Sequence, residues 1–142
     1  ICEYKETLDK KICEEIEKLS RDNKVTVASF LQMVWIYTLS RYTGNDEVVS
    51  GIINSGRDIE LKNIENIPGL LINTLPCRFK LENDKTFIDN MKRLHEQEIK
   101  SKKHGLLPLS KILKTTKENS LNIFDTLFVY EIIHLMIPNL VI

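Results

Sequence analysis

Between Thr26 and Gly44 the chain places Val27, Phe30, Leu31, Val34, Trp35, Tyr37 and Leu39, which put apolar surface on nearly every side of a helix. A helix with so little polar surface must be buried on most sides, so other layers have to cover it. Thr26 stands where an N-cap accepts from the first free amides, and Gly44 stands where a C′ residue stops the helix.

The covering layers are legible on either side. Val48 to Ile53 is a short β-branched run followed by the turn residues Asn54-Ser55-Gly56, which predicts a buried strand. Pro68-Gly69 is turn chemistry leading into a second strand, Leu70 to Leu75. Beyond Pro76, Cys77, Phe79 and Leu81 alternate with Arg78 and Lys80, predicting a half-exposed strand. Pro76 has no N–H for a ladder and so marks an edge, a bulge or a break. Ile1 to Thr7 alternates weakly as a short strand, and Phe124 to Tyr130 reads as the last one. Leu8, Ile12, Ile16 and Leu19 recur at helical spacing. Thr86 is a second N-cap, before Phe87, Ile88, Met91, Leu94, Glu98 and Ile99, in a helix ending near Lys103 and closed by Gly105. Pro108 to Leu113 allows one short helical turn. The order β-α-α-β-β-β-α-α-β predicts an α/β or α+β layered fold.

Lys plus Arg and Asp plus Glu each number 20 in the 142 residues, so the formal charge is zero and no basic footprint for a polyanion exists. Nucleic acid is disfavoured as a partner. No apolar run approaches the roughly 20 residues that cross a bilayer, and no basic segment precedes an apolar one at the start, which predicts a cytoplasmic chain with no membrane partner. Cys2, Cys13 and Cys77 are far apart and without CxxC pairing, so reduced, partly buried thiols are expected rather than a metal site.

Five stretches occur together in one order: Ser40 to Gly44 with Asp46 to Gly51; Ser55-Gly56-Arg57; Ile67 to Arg78; His104 to Leu109; and Phe124 to Val129. Each alone is weak, but their ordered conjunction resembles the condensation domain of nonribosomal peptide synthetases. The resemblance runs over about residues 8 to 131. It implies the C-terminal lobe of a chloramphenicol-acetyltransferase-like fold, a mixed sheet covered by helices, forming one side of a tunnel. The domain is expected to span 1–131 as a partial condensation domain. The family's catalytic HHxxxDG belongs to the first lobe, and here His95, His104 and His134 are isolated, with no Asp-Gly dipeptide in the sequence.

By resemblance, Asn73 projects toward the tunnel near the reacting thioester, where an amide orients a pantetheine or a tetrahedral oxygen. The plainer alternative is that Asn73 bridges backbone groups at a strand irregularity beside Pro76. Thr74, Arg57 and Gly69 are assigned to the tunnel on the same grounds. Arg57 is equally readable as a surface arginine, and Gly69 as a simple turn residue. His104 is expected to serve the C-terminal end of a helix. The resemblance implies no cofactor bound by this chain, with phosphopantetheine carried by a peptidyl carrier protein. The other expected partner is the missing first lobe, without which apolar surface would be left open to self-association.

After Glu131 the resemblance stops. Relatives continue with a Glu-Asn-Tyr-Pro-like segment, whereas this chain reads Ile132-Ile133-His134-Leu135-Met136. Loss of one A from GAA AAT TAT CCA TTT GAT, followed by G, gives Glu-Ile-Ile-His-Leu-Met, so residues 132–142 are expected to be a divergent, frameshifted tail. The sequence therefore predicts a fragment of an amide-forming domain, resembling peptide-bond-forming rather than epimerising members and inactive alone. The competing readings are a noncatalytic carrier-protein-binding module and a small independent acyltransferase. The last is disfavoured because no Ser or Cys has a His and a carboxylate suggestively placed along the chain.

Overall fold

The computed structural model describes residues 2–56, 71–115 and 123–131. Its elements are α1 (Lys10–Asp22), α2 (Val27–Thr43), β1 (Glu47–Asn54), β2 (Asn73–Lys80), α3 (Phe87–Lys102), α4 (Leu109–Thr115) and β3 (Leu127–Phe128). The described strands form one sheet in the order β2-β1-β3, antiparallel between β1 and β2 and parallel between β1 and β3. The sheet is mixed, as expected.

Register decides which residues meet the helices. Val48 pairs with Phe79, Ser50 with Cys77, Ile52 with Leu75 and Asn54 with Asn73, so alternation puts these pairs on one face. That face carries the core. Met33 and Ile36 of α2, Met91 and Leu94 of α3, and Val48, Cys77, Phe79 and Leu81 form one buried cluster. The opposite face shows Glu47, Arg78 and Lys80 to solvent, with Arg78 Nε donating to Glu47 Oε1 at 2.7 Å.

The helix ends follow from the side chains identified in the sequence. Thr26 Oγ1 accepts from Ser29 N at 3.1 Å, and Gly44 stops α2 at φ +72°, where a side chain would be strained. Thr86 and Asp89 form a reciprocal capping box at the start of α3. Asn90 fixes the preceding loop, accepting from Glu82 N and donating to the Glu82 and Thr86 carbonyls.

Four expectations change. The segment before α1 is not a strand, because residues 2–9 are exposed and have no ladder to join. The two strands expected around Pro76 are one continuous β2. Gly51 opposite Pro76 sends its N–H away from β2, to Thr126 O at 2.8 Å, so this pair exchanges no ladder bonds and the proline's missing donor faces the outer edge. The last strand is shorter than Phe124–Tyr130, pairing only at Leu127 and Phe128. There, Gly51 matters for space: a Cβ on it would meet Phe124 Cε2 at 2.5 Å and Leu127 Cδ1 at 2.8 Å. Finally, α2 is less enclosed than its composition implied, since Val34 and Tyr37 are each 41% exposed. Cys77 is buried and Cys13 half-buried, but Cys2 is exposed.

Leu94 is fully buried where α3 meets the sheet, so Leu94→Ala is expected to cost about 2–5 kcal/mol. Chemical denaturation of the two proteins side by side measures it.

Candidate functional site

Asn73 opens β2 at the end of the ladder, opposite Asn54. Its Nδ2 donates to Gly105 O at 2.7 Å and to Leu107 O at 2.9 Å, so both amide hydrogens are spent on the turn between α3 and α4. Gly105 is buried in that turn, and a Cβ there would collide with the Asn54 amide. Lys103, in the right-handed region, caps α3 instead of Gly105; the role of Gly105 is packing, because β1 approaches the turn too closely for a side chain.

Thr74 follows Asn73 and points to the opposite face of the sheet, paired with Ile53. The two neighbours thus serve different surfaces. Arg57 and Gly69 lie outside the described residues. His104 is exposed just past α3, where its N–H closes the last turn on Ser101 O at 3.0 Å.

Between α2, α3 and the ends of β1 and β3 lies a cavity of about 330 Å³, lined among others by Gln32, Asn54, Glu98, Leu75, Phe128 and Tyr130. Beside it, α2 and α3 are joined by a polar cluster. Ser29 Oγ lies 2.8 Å from Thr26 Oγ1, 2.9 Å from His95 Nδ1 and 2.5 Å from Glu98 Oε2. A hydroxyl has one proton and two acceptor positions, so all three contacts are satisfied when Ser29 donates to Glu98 and accepts from Thr26 and from a protonated His95 Nδ1. Burial, only partly offset by that Ser29 bond, pushes the Glu98 carboxyl above its ordinary value of 4.5.

Ser29 of α2 thus meets His95 and Glu98, which stand three residues apart on α3 and lie 66 and 69 residues along the chain from the serine. Their arrangement is a brace rather than a nucleophilic triad. The Ser29 hydroxyl is fully buried and donates its hydrogen bond to the carboxylate, while Glu98 and Ser29 address the same ring nitrogen, leaving no relay through the imidazole. The nearby Cys77 is no better a nucleophile. Burial, aided by the Glu98 charge, pushes its thiol up to about 12, and the Gln32 amide pulls the other way without closing a hydrogen bond of ordinary geometry. Among the described residues no cluster of His, Cys, Asp and Glu is placed to hold a metal ion, and no helix there is long and apolar enough to cross a membrane.

One signal for the brace is present in the sequence. Glu98 occupies a position on the otherwise apolar stripe of α3, and a carboxylate on a core-facing stripe requires a partner. Ser29, Gln32 and Asn54 give no such signal, because short polar residues are common on helix and strand surfaces.

The family model for the condensation domain matches residues 3–136. The chain belongs to the condensation-domain family. Gramicidin S synthase 2 of Brevibacillus brevis is 32% identical over 129 residues, covering 91% of this chain and 3% of that protein. Bacitracin synthase 3 of Bacillus licheniformis is 31% identical over 122 residues, 86% of this chain and 2% of the relative. The chain therefore spans a small part of the synthetases it matches. In fold it is similar to the first condensation domain of the calcium-dependent antibiotic synthetase, with a TM-score of 0.65 and 17% identity over 80% of this chain and 24% of the other. The condensation-domain fold agrees with the mixed sheet and helical cover described above.

Removing the Asn73 amide leaves two carbonyls of the α3–α4 turn without their donor, at a cost of about 1–3 kcal/mol. Asn73→Ala is expected to speed hydrogen exchange in residues 104–109 while leaving α3 protected. Asn73→Asp, which places an acceptor against both carbonyls, is expected to be at least as damaging.

Glu98 yields a second expectation. Its folded pKa lies above the unfolded value, so the stability it lends is complete below pH 4.5 and is lost as pH rises through the folded value. Glu98→Gln keeps an acceptor for Ser29 and removes the titration. Its unfolding free energy is expected to fall less between pH 4.5 and 7 than that of the parent in the same denaturation series.

Proposed function

We propose that this chain is the second lobe of an amide-forming condensation domain and works against that domain's first lobe. The lobe contributes a wall of the channel in which the amine on one carrier-tethered substrate attacks the thioester carbonyl of another. The observation that carries this reading is the family match over residues 3–136 in a sequence without HHxxxDG. Attack on the thioester needs a group that positions the amine or accepts its proton within hydrogen-bond reach. His95 is committed to Ser29, and His104 stands beyond the end of α3.

The channel wall is placed at the Asn73 end of the sheet. Ile72, Leu106 and Leu107 are exposed there, on the two segments that Asn73 ties together. Asn73 then acts on the channel through the turn it holds, as a positioning residue, and Thr74 faces the other surface of the sheet. Arg57 and Gly69 belong to the same wall by their place in the family motifs. The phosphopantetheine arm arrives on a peptidyl carrier protein and is not held by this chain alone. Uncovered apolar residues at this end also favour self-association when the first lobe is absent.

The test is a titration of the chain with a phosphopantetheinylated, aminoacyl-loaded carrier protein, with and without a separately supplied first lobe containing HHxxxDG. Carrier binding without turnover, and amide formation only when the first lobe is added, are the expected results. Amide formation by the chain by itself would overturn the missing-imidazole reading. Carrier binding that no first lobe converts into turnover would favour a noncatalytic docking module.

A further inference from the structure

The turn between α3 and α4 is seated on the end of the β1–β2 ladder from two sides. Asn73 of β2 holds it through the Gly105 and Leu107 carbonyls, while Asn54, directly opposite Asn73 on β1, lies behind Gly105. A Cβ on Gly105 would overlap Asn54 Nδ2 and stand 3.3 Å from Asn54 Cγ. Lys102 O, 3.0 Å from the same point, accepts from Gly105 N and belongs to the turn itself.

Space rather than backbone conformation calls for glycine here. Among the described glycines only Gly44 and Gly56 have positive φ, so alanine at 105 adds a methyl group without backbone strain. Asn54 is 5% exposed, so its amide has no open solvent to swing into. The turn has more freedom, because His104, Leu106, Leu107 and Pro108 around the buried glycine are all exposed. A methyl group at 105 is therefore accommodated by outward movement of the turn. That movement carries Leu106 and Leu107 away from β1, toward the space they face.

We infer that Gly105 is a positioning residue that sets the width of the channel and with it the size of aminoacyl group the channel takes. By letting the turn seat against Asn54, it holds the apolar side chains of Leu106 and Leu107 back from the substrate. The inference rests on the second-lobe reading and adds to it a part in choosing the substrate. Space for one methylene in an apolar pocket is worth about 10- to 200-fold in discrimination, so a small displacement of this wall is measurable.

The experiment combines the chain with a first lobe containing HHxxxDG and one fixed thioester donor. It measures kcat/KM for amine carriers loaded with alanine, leucine or phenylalanine. Gly105→Ala is expected to lower the phenylalanine value by about tenfold through KM, and the alanine value by less than about twofold. Gly105→Ala combined with Asn54→Ala, in which the overlapping amide is gone, is expected to recover the parent ratio. Leu106→Ala, a truncation at an exposed position, widens the same wall and is expected to move the ratio the other way. Circular dichroism checks the fold of each variant, and methyl NMR of the chain alone follows the seat independently of activity. The Leu106 and Leu107 signals are expected to shift in Gly105→Ala and to return in the double variant. Equal losses for the three loaded carriers, or a ratio that neither the double variant restores nor Leu106→Ala moves, would overturn the inference. Unmoved Leu106 and Leu107 signals would overturn it too, by showing that Asn54 yields instead of the turn. Failure of the second-lobe reading looks different: the parent chain then forms no amide with any of the three, and the inference falls with it whatever the methyl signals show.

Discussion

Closure of α2 and α3 over one face of the β1–β2 ladder sets the positions of all the features described. Met33 and Ile36 from one helix and Met91 and Leu94 from the other are fully buried against Val48 and Phe79. Loss of this contact would expose the apolar face of both strands and leave α1, which packs on α2, without a support. The contact also carries a constraint. Two helices lying side by side over a sheet bring every core-facing residue of one within reach of the other, including polar ones, and those must then be paired across the gap.

Ser29 and Glu98 illustrate how that pairing is achieved, and their bond makes the helix pair more specific than apolar packing alone. Hydrophobic contact tolerates sliding by a fraction of a turn, whereas a hydroxyl with three partners accepts only one arrangement. Among the described residues, Gln32 Nε2, Asn54 Oδ1 and Glu98 Oε1 nevertheless stay buried without a hydrogen-bond partner.

Local chemistry is the part most legible in the sequence. Thr26, Gly44 and Thr86 bound their helices because capping depends on a few adjacent residues, and the alternation around Cys77 and Phe79 gives the buried face of β2 correctly. Sequence patterns mislead where the outcome depends on a distant neighbour. Residues 1–7 alternate weakly like a strand, but residues 2–7 have no ladder to join, and Pro76 lies within a strand because its missing donor happens to face an edge. The same limit applies to the site. Asn73 stands out as an amide in an apolar run, but its actual partners are 32 and 34 residues away on the far side of α3, a separation that no periodicity reveals.

Pro76 has one more effect, on what can attach to this sheet. The outer edge of β2 lacks a donor at its middle, so an incoming strand would have to leave a carbonyl unanswered at that point. That flank is chemically blunted against lengthening of the sheet by a stray chain. On the opposite flank of β1, Leu127 and Phe128 run in the same direction as β1.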